Sequence, residues 1–168
     1  MLRQELPDGM AENEVRAGRL VQVRRGAYVL ADALDDDPYR RSEQTAAAHL
    51  AAVARQSGRP VVVSHTSAAL LWGLPLLGRQ DRVHVLQDSA PSAWAARDVV
   101  RHVQRISPEE VTTIAGIPVT TLERTVIDCA RSLHPRDGLV VADAALHAGA
   151  SRDALAATVG RAATGRGV

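Results

Sequence analysis

The chain contains no lysine and no phenylalanine, and only two tryptophans, two tyrosines and one cysteine in 168 residues. Each shortage excludes something. A single thiol, Cys129, can close no intramolecular disulfide and build no cysteine-rich zinc site, which removes the disulfide-stapled secreted domains. No apolar run approaches the ~20 residues of a membrane span, and the N-terminal stretch lacks a signal-peptide apolar core. A reducing cytoplasm is therefore the expected compartment. With aromatic residues scarce, Ala, Val and Leu supply nearly all of the 46% hydrophobic content. Such a core packs well only where its elements approach closely. All 20 cations are arginine, which, beside the abundance of Ala and Gly, reads as GC-rich codon usage rather than functional choice. A net charge of +1 leaves no argument from global electrostatics, so a nucleic-acid surface would have to be a local patch.

The length suits one domain, or a small one beside a larger one. The first nine residues, ending in Pro-Asp-Gly, allow only a short turn or helix. Met10–Ala17 suits a short helix stopped by Gly18. LVQVRRGAYVL predicts a β-hairpin turning at Arg25-Gly26, with Val21, Val23, Tyr28 and Leu30 on one apolar face. Asp35-Asp36-Asp37-Pro38 reads as a linker that also opens a helix, since acids and proline suit a helix start. That helix runs to about Ser57, burying Ala46, Leu50, Val53 and Ser57 at helical spacing. A strand at 61–63 precedes a helix capped by Ser64 and ended by Gly73, with Ala68, Leu71 and Trp72 on one side. Strands are expected near 82–87 and 99–106, with short extended pieces at 111–114 and 117–119. Thr120 and Glu123 have the spacing of a capping box. The helix after them carries Leu122, Val126, Cys129 and Leu133 as an apolar stripe, and two helices follow near 137–148 and 151–159. The tail reads as a linker.

Candidate chemistry is sparse. Six histidines invite a metal, and His84 and His102 fall on strands that could be neighbours. No His-x-x-x-His or Cys-x-x-Cys spacing supports a site, so hydrogen-bonded or solvated histidines are expected and no metal or cofactor is assigned. Ser64-His65 suggests a nucleophile and base, but no strand–turn elbow surrounds the serine, and an N-cap role is expected instead. Cys129 lies on the core stripe, where a thiol is inert. Arg124 and Asp128, four apart on one helix, suit a partly buried brace in which Arg124 holds Asp128 and a nearby backbone carbonyl. No complete catalytic constellation results.

The strongest functional signal lies near the N-terminus. Arg16, Arg19, Arg24 and Arg25 fall within ten residues that contain no acid. They sit at a helix end, in the connection and at a hairpin tip. A short helix followed by an arginine-tipped hairpin is how a winged helix-turn-helix meets DNA, and the arginine fork suits phosphates and guanine edges. The same cluster could also be an ordinary solvated face.

Three segments, GRLVQVRRGAYVLAD, SHTSAALLWGLP and ISPEEVTTIAGIPVTTLERTVIDCA, occur in this order over roughly residues 10 to 160. In these the chain resembles the AbiEi-type antitoxins of type IV toxin–antitoxin systems, in a branch common in actinobacteria. The resemblance implies a winged-helix domain that represses its own promoter and an α/β domain that counters a nucleotidyltransferase-like toxin. By position it places Arg16, Arg19, Gln22, Arg24 and Arg25 at the DNA, and it leaves Ser64, Trp72, Thr120, Arg124 and Asp128 as scaffold. Two features depart from the family pattern. Only about 19 residues precede the hairpin, too few for the helices of a full winged helix, and relatives in this branch continue into a nuclease-like domain of the very-short-patch-repair kind.

The expected fold is α+β: a degenerate winged helix over 1–34, a small mixed α/β domain over 38–160 and a linker-like tail over 161–168. The expected function is an antitoxin-like transcriptional regulator that binds without turnover. Its expected partners are promoter double-stranded DNA, a cognate toxin and a second copy of the chain. Two other readings stay open: the targeting module of a DNA nuclease, and a protein-interaction module that no longer binds DNA.

Overall fold

The computed structural model describes residues 9–57, 61–78, 82–88 and 96–164. The turn expected over the first nine residues and the end of the tail lie outside them, apart from Gly9. The chain divides into two compact units, Met1–Ser57 and Gly58–Val168. The fold is mixed α/β, with six α-helices and two sheets among the described residues. No described helix is long and apolar enough to cross a membrane.

The first unit holds α1 (Met10–Arg16), the hairpin strands β1 (Leu20–Arg24) and β2 (Ala27–Leu30), and the long helix α2 (Pro38–Gln56). The Asp37 carboxylate accepts from the backbone N–H groups of Tyr39 and Arg40 at 3.0 Å each, with Pro38 in the first turn. This is how the acidic stretch opens α2. Leu50, Ala52 and Val53 are buried on α2, which packs on both hairpin strands. The helix therefore belongs with the hairpin, and the boundary falls after Ser57 rather than at 34–38.

The hairpin turns at Arg25-Gly26 as expected, with Gly26 at φ 74°, but its register differs from the prediction. Leu20 pairs with Leu30, Val21 with Val29 and Gln22 with Tyr28, and an irregularity between Gln22 and Arg24 shifts the ladder. Such a bulge breaks the two-residue alternation on which the face assignment relied. Leu20 and Tyr28 therefore join Ala11 in the small core, with Val15 against it, while Leu30 is 48% exposed.

The second unit is built on a five-stranded sheet of order β5-β4-β3-β7-β6. Its strands are β3 (Val62–Val63), β4 (Val83–Gln87), β5 (Val99–Val103), β6 (Val111–Ile114) and β7 (Ile117–Thr120). β3 runs antiparallel to β4 and parallel to β7. β4 and β5 are parallel, and β6 and β7 form a hairpin. Helices α3 (His65–Leu71), α4 (Leu122–Ser132), α5 (Pro135–His147) and α6 (Arg152–Thr164) complete the unit, so α6 continues into what the sequence read as tail.

The predicted stripe of α4 faces the helical core. Val126 and Cys129 are buried with Ala69, Leu74, Val141, Ala145 and Ala150, and Leu122 and Leu133 pack against them. Small residues let the helices come close: a Cβ on Gly138 of α5 would lie 3.2 Å from the Cα of Ala130 on α4. That approach is what a core short of aromatics requires. The N-cap of α4 is Thr121, whose hydroxyl accepts from the Arg124 N–H. Thr120, one residue earlier, instead shares a 2.7 Å hydroxyl contact with Thr125.

Candidate functional site

The most concentrated chemistry in the second unit is a group of three imidazoles, from His65, His84 and His102. His84 pairs with Val100 and His102 with Leu86 across the parallel strands β4 and β5, and the two-residue period places both histidines on one face. Their rings meet, with His84 Nδ1 3.1 Å from His102 Nε2. His65 opens α3 and stacks on His102, ring centroids 3.7 Å apart and planes 12° from parallel. One ring nitrogen from each residue lies within 4.8 Å of the other two.

The start of α3 is laced to β4. The Ser64 N–H donates to the His84 carbonyl at 3.0 Å, and the His84 N–H donates to Ser67 Oγ at 2.9 Å. Both backbone groups of His84 are thus used, which explains why Ser64 and Ser67 are buried. The chain passes from β3 into α3 with no intervening loop, and His65 takes φ 54°. A left-handed conformation costs a residue bearing a Cβ on the order of 1 kcal/mol. Ser64 occupies the N-cap position but makes no capping hydrogen bond. Its hydroxyl lies 2.9 Å from His65 Nδ1, so the two adjacent side chains meet after all, contrary to the N-cap expectation.

Burial above all, with the neighbouring rings and the Arg124 and Arg131 charges adding to it, pushes His65 down to about 3. Burial, then His102 and Arg82, pushes His84 down to about 4, and burial lowers His102. All three rings are therefore neutral at neutral pH. Neutral imidazoles offer lone pairs, and three of them make a donor set for a borderline-soft divalent ion. Among the described residues no carboxylate accepts from any of the three rings, so Ser64 has beside it no acid-oriented base of the kind a hydrolase triad uses.

Of the other residues read as scaffold, Trp72 closes α3, and Arg124 and Asp128 lie on α4. Trp72 Nε1 donates to the Thr120 carbonyl at 2.9 Å, tying α3 to the end of β7. Arg124 is buried and donates through Nε to Asp128 Oδ1 at 2.9 Å. Its second partner is the Glu110 carboxylate at 2.7 Å, not a backbone carbonyl. Cys129 is buried, and desolvation followed by the Asp128 charge pushes its thiol up to about 12.

In the first unit, Arg16 and Arg25 are exposed, Arg24 is half-buried, and Gln22 is exposed on β1. Arg16 Nη1 reaches Asn13 Oδ1 at 3.3 Å. Arg19 is committed elsewhere: its guanidinium makes two contacts to the Glu14 carboxylate. The acid that neutralises it lies just outside the acid-free stretch. Gln56 Nε2 donates to the Arg25 carbonyl at 3.3 Å, anchoring the turn to the end of α2.

Sequence reasoning missed the histidine trio because its members are far apart in sequence and arrive from a helix start and two strands. Short metal motifs describe ligands on one local element. The available signal was that VHVLQ and VVRHV, read as neighbouring strands, each carry one histidine. No protein-family model, curated protein or solved structure matches the chain.

Proposed function

We propose that the chain is a DNA-binding regulator of the antitoxin kind, working in the cytoplasm and acting by stoichiometric binding without turnover. Its first unit serves as a reduced winged helix, with α1 and the β1–β2 hairpin as the parts that meet the duplex. The observation that carries this reading is the tip of the hairpin. Exposed Arg25 sits in the Arg25-Gly26 turn beside Arg24, and exposed Arg16 ends α1. A backbone contact to Gln56 holds the turn without using the arginine side chain. The partners under this reading are promoter double-stranded DNA, a nucleotidyltransferase-like toxin and a second copy of the chain that supplies another half-site. The ordered motif segments that resemble the antitoxins support the toxin partner.

Arg19 is paired with Glu14, and Arg16, Arg24 and Arg25 are the arginines that this reading sets against phosphates. The slope of log K against log salt should then be about −2 to −3, at roughly −0.9 for each neutralised phosphate. Fluorescence anisotropy at two salt concentrations, with the native upstream duplex and a scrambled one, tests the reading. Arg24→Ala with Arg25→Ala should flatten the slope by about two units while the melting temperature holds. Absence of binding to either duplex at low salt would remove the DNA reading and favour a protein-interaction module.

A further inference from the structure

We propose that His65, His84 and His102 form a binding site for a divalent transition-metal ion of the Zn2+ class, held by three imidazole nitrogens with one coordination position open. The site lies in the second unit and is independent of the arginine-tipped hairpin.

Ligand type and number come first. Three histidines with a free fourth position are a recurrent donor set of open zinc sites, and the all-nitrogen set disfavours hard ions such as Mg2+ and Ca2+. Around a tetrahedral ion with Zn–N bonds of ~2.0–2.1 Å, ligand nitrogens lie roughly 3.3 Å apart. His84 Nδ1 and His102 Nε2 are already at 3.1 Å. A ring nitrogen of His65 lies within 4.8 Å of both, and ligation requires the His65 ring to turn out of its stack on His102.

The support around the rings is what a metal site needs. The Ser64 hydroxyl engages His65 Nδ1, the kind of outer contact that orients a ligand ring and leaves Nε2 for the ion. Both backbone groups of His84 are tied to the start of α3. Arg124, whose charge acts on His65, is already paired with both Glu110 and Asp128.

A hydrogen bond between two neutral imidazoles accounts for His84 and His102 but leaves His65 unexplained. That residue takes a left-handed backbone at φ 54° to lay a polar ring on the pair. Strain of this kind persists where the surroundings hold it, and it gathers at ligand sites. An apolar side chain in an ordinary conformation would serve packing better.

The test uses the full chain, untagged and freed of metal by chelator. Co2+ should give the intense visible d–d bands of a four-coordinate site at one equivalent, and Zn2+ should bleach them. Calorimetry should show one Zn2+ per chain and no heat with Mg2+. His84→Ala and His102→Ala should each weaken Zn2+ by at least the ~10- to 100-fold that loss of an outer-shell contact alone costs, whereas His134→Ala and His147→Ala should leave it unchanged. If the cluster variants fail to fold, imidazole NMR of the wild-type chain decides. Zn2+ should then shift three of the six histidines, those of the cluster. Zn2+ binding that leaves the cluster resonances unmoved, or that survives both cluster substitutions, overturns the proposal. So does the absence of any binding with metal at hundredfold excess over a micromolar chain.

Discussion

Arg124 and Glu110, 14 residues apart, meet through a 2.7 Å contact between Nη1 and Oε2 in the interior of the second unit. The same guanidinium holds Asp128 Oδ1 through Nε at 2.9 Å. One cation thus serves two carboxylates and joins the turn before β6 to the middle of α4. The second Asp128 oxygen is buried without a hydrogen-bond partner. Burial accordingly pushes the Asp128 carboxyl above its ordinary range, although Arg124 pulls it down.

Removing that cation strands two buried acids. Arg124→Ala should destabilise the chain by about 3–5 kcal/mol, the usual result of breaking a buried pair from one side. Arg124→Met combined with Glu110→Gln and Asp128→Asn should recover much of the loss, because no uncompensated charge remains. Urea unfolding of the two variants measures both. Unchanged stability in Arg124→Ala, together with lost binding to a partner, would move the residue from brace to interface.

The core stripe of α4 gives a smaller effect. Val126 is 4% exposed among small residues. Val126→Ala should cost about 1–2.5 kcal/mol, from lost burial and a partly unfilled cavity. A change below ~0.5 kcal/mol in denaturant melts would place the stripe outside the packed core.

Cys129, on the same stripe, has no exposed surface and a thiol pushed up to about 12. Iodoacetamide at mildly alkaline pH should leave it unmodified in the native chain and label it promptly in urea, because the thiolate is the reacting form. Rapid labelling of the folded chain, read by mass spectrometry, would contradict its burial.

Acid should weaken the metal-free chain through the histidine cluster. The folded pKa values of His65 and His84, about 3 and about 4, lie below their unfolded value near 6.5. The unfolded chain therefore binds more protons between these limits. The stabilisation from neutral rings is complete above about pH 6.5 and is lost as pH falls toward 4. His102 is shifted the same way. Asp128, raised by burial, opposes this with at most one proton. Discounted for the half-exposed His84 and His102, the slope should be on the order of 1–2 kcal/mol per pH unit between pH 6 and 5. Flat stability across that window would show that the rings protonate as freely folded as unfolded.

The β6–β7 turn offers a stabilising change. Ala115 and Gly116 take φ 49° and 77° between the paired residues Ile114 and Ile117. Two left-handed residues make a type I′ turn, in which the first position favours asparagine. Ala115 is exposed, so Ala115→Asn meets no packing constraint. It should raise stability by roughly 0.5–1 kcal/mol, seen as a higher melting temperature. No gain would mean that the turn differs from the type I′ geometry in solution.

Local patterns in the sequence determined where α1, α2 and the later helices lie, the turn at Arg25-Gly26, the core stripe of α4 and the Arg124–Asp128 pair. Each depends on residues a few positions apart, through helical spacing, capping or turn chemistry. Tertiary structure decided everything that joins distant segments. The bulge at Gln22–Arg24 reset the hairpin faces, and Glu14 withdrew Arg19 from the basic cluster. Packing of α2 on the hairpin moved the boundary to Ser57. Ser64 turned from the expected cap to His65, and Glu110 replaced a carbonyl as the partner of Arg124. The meeting of all three histidines belongs to this second class. Their rings meet because β4 and β5 run side by side and α3 begins against β4. Strand order and a strained backbone angle arise from long-range pairing, and no spacing within a single element encodes them.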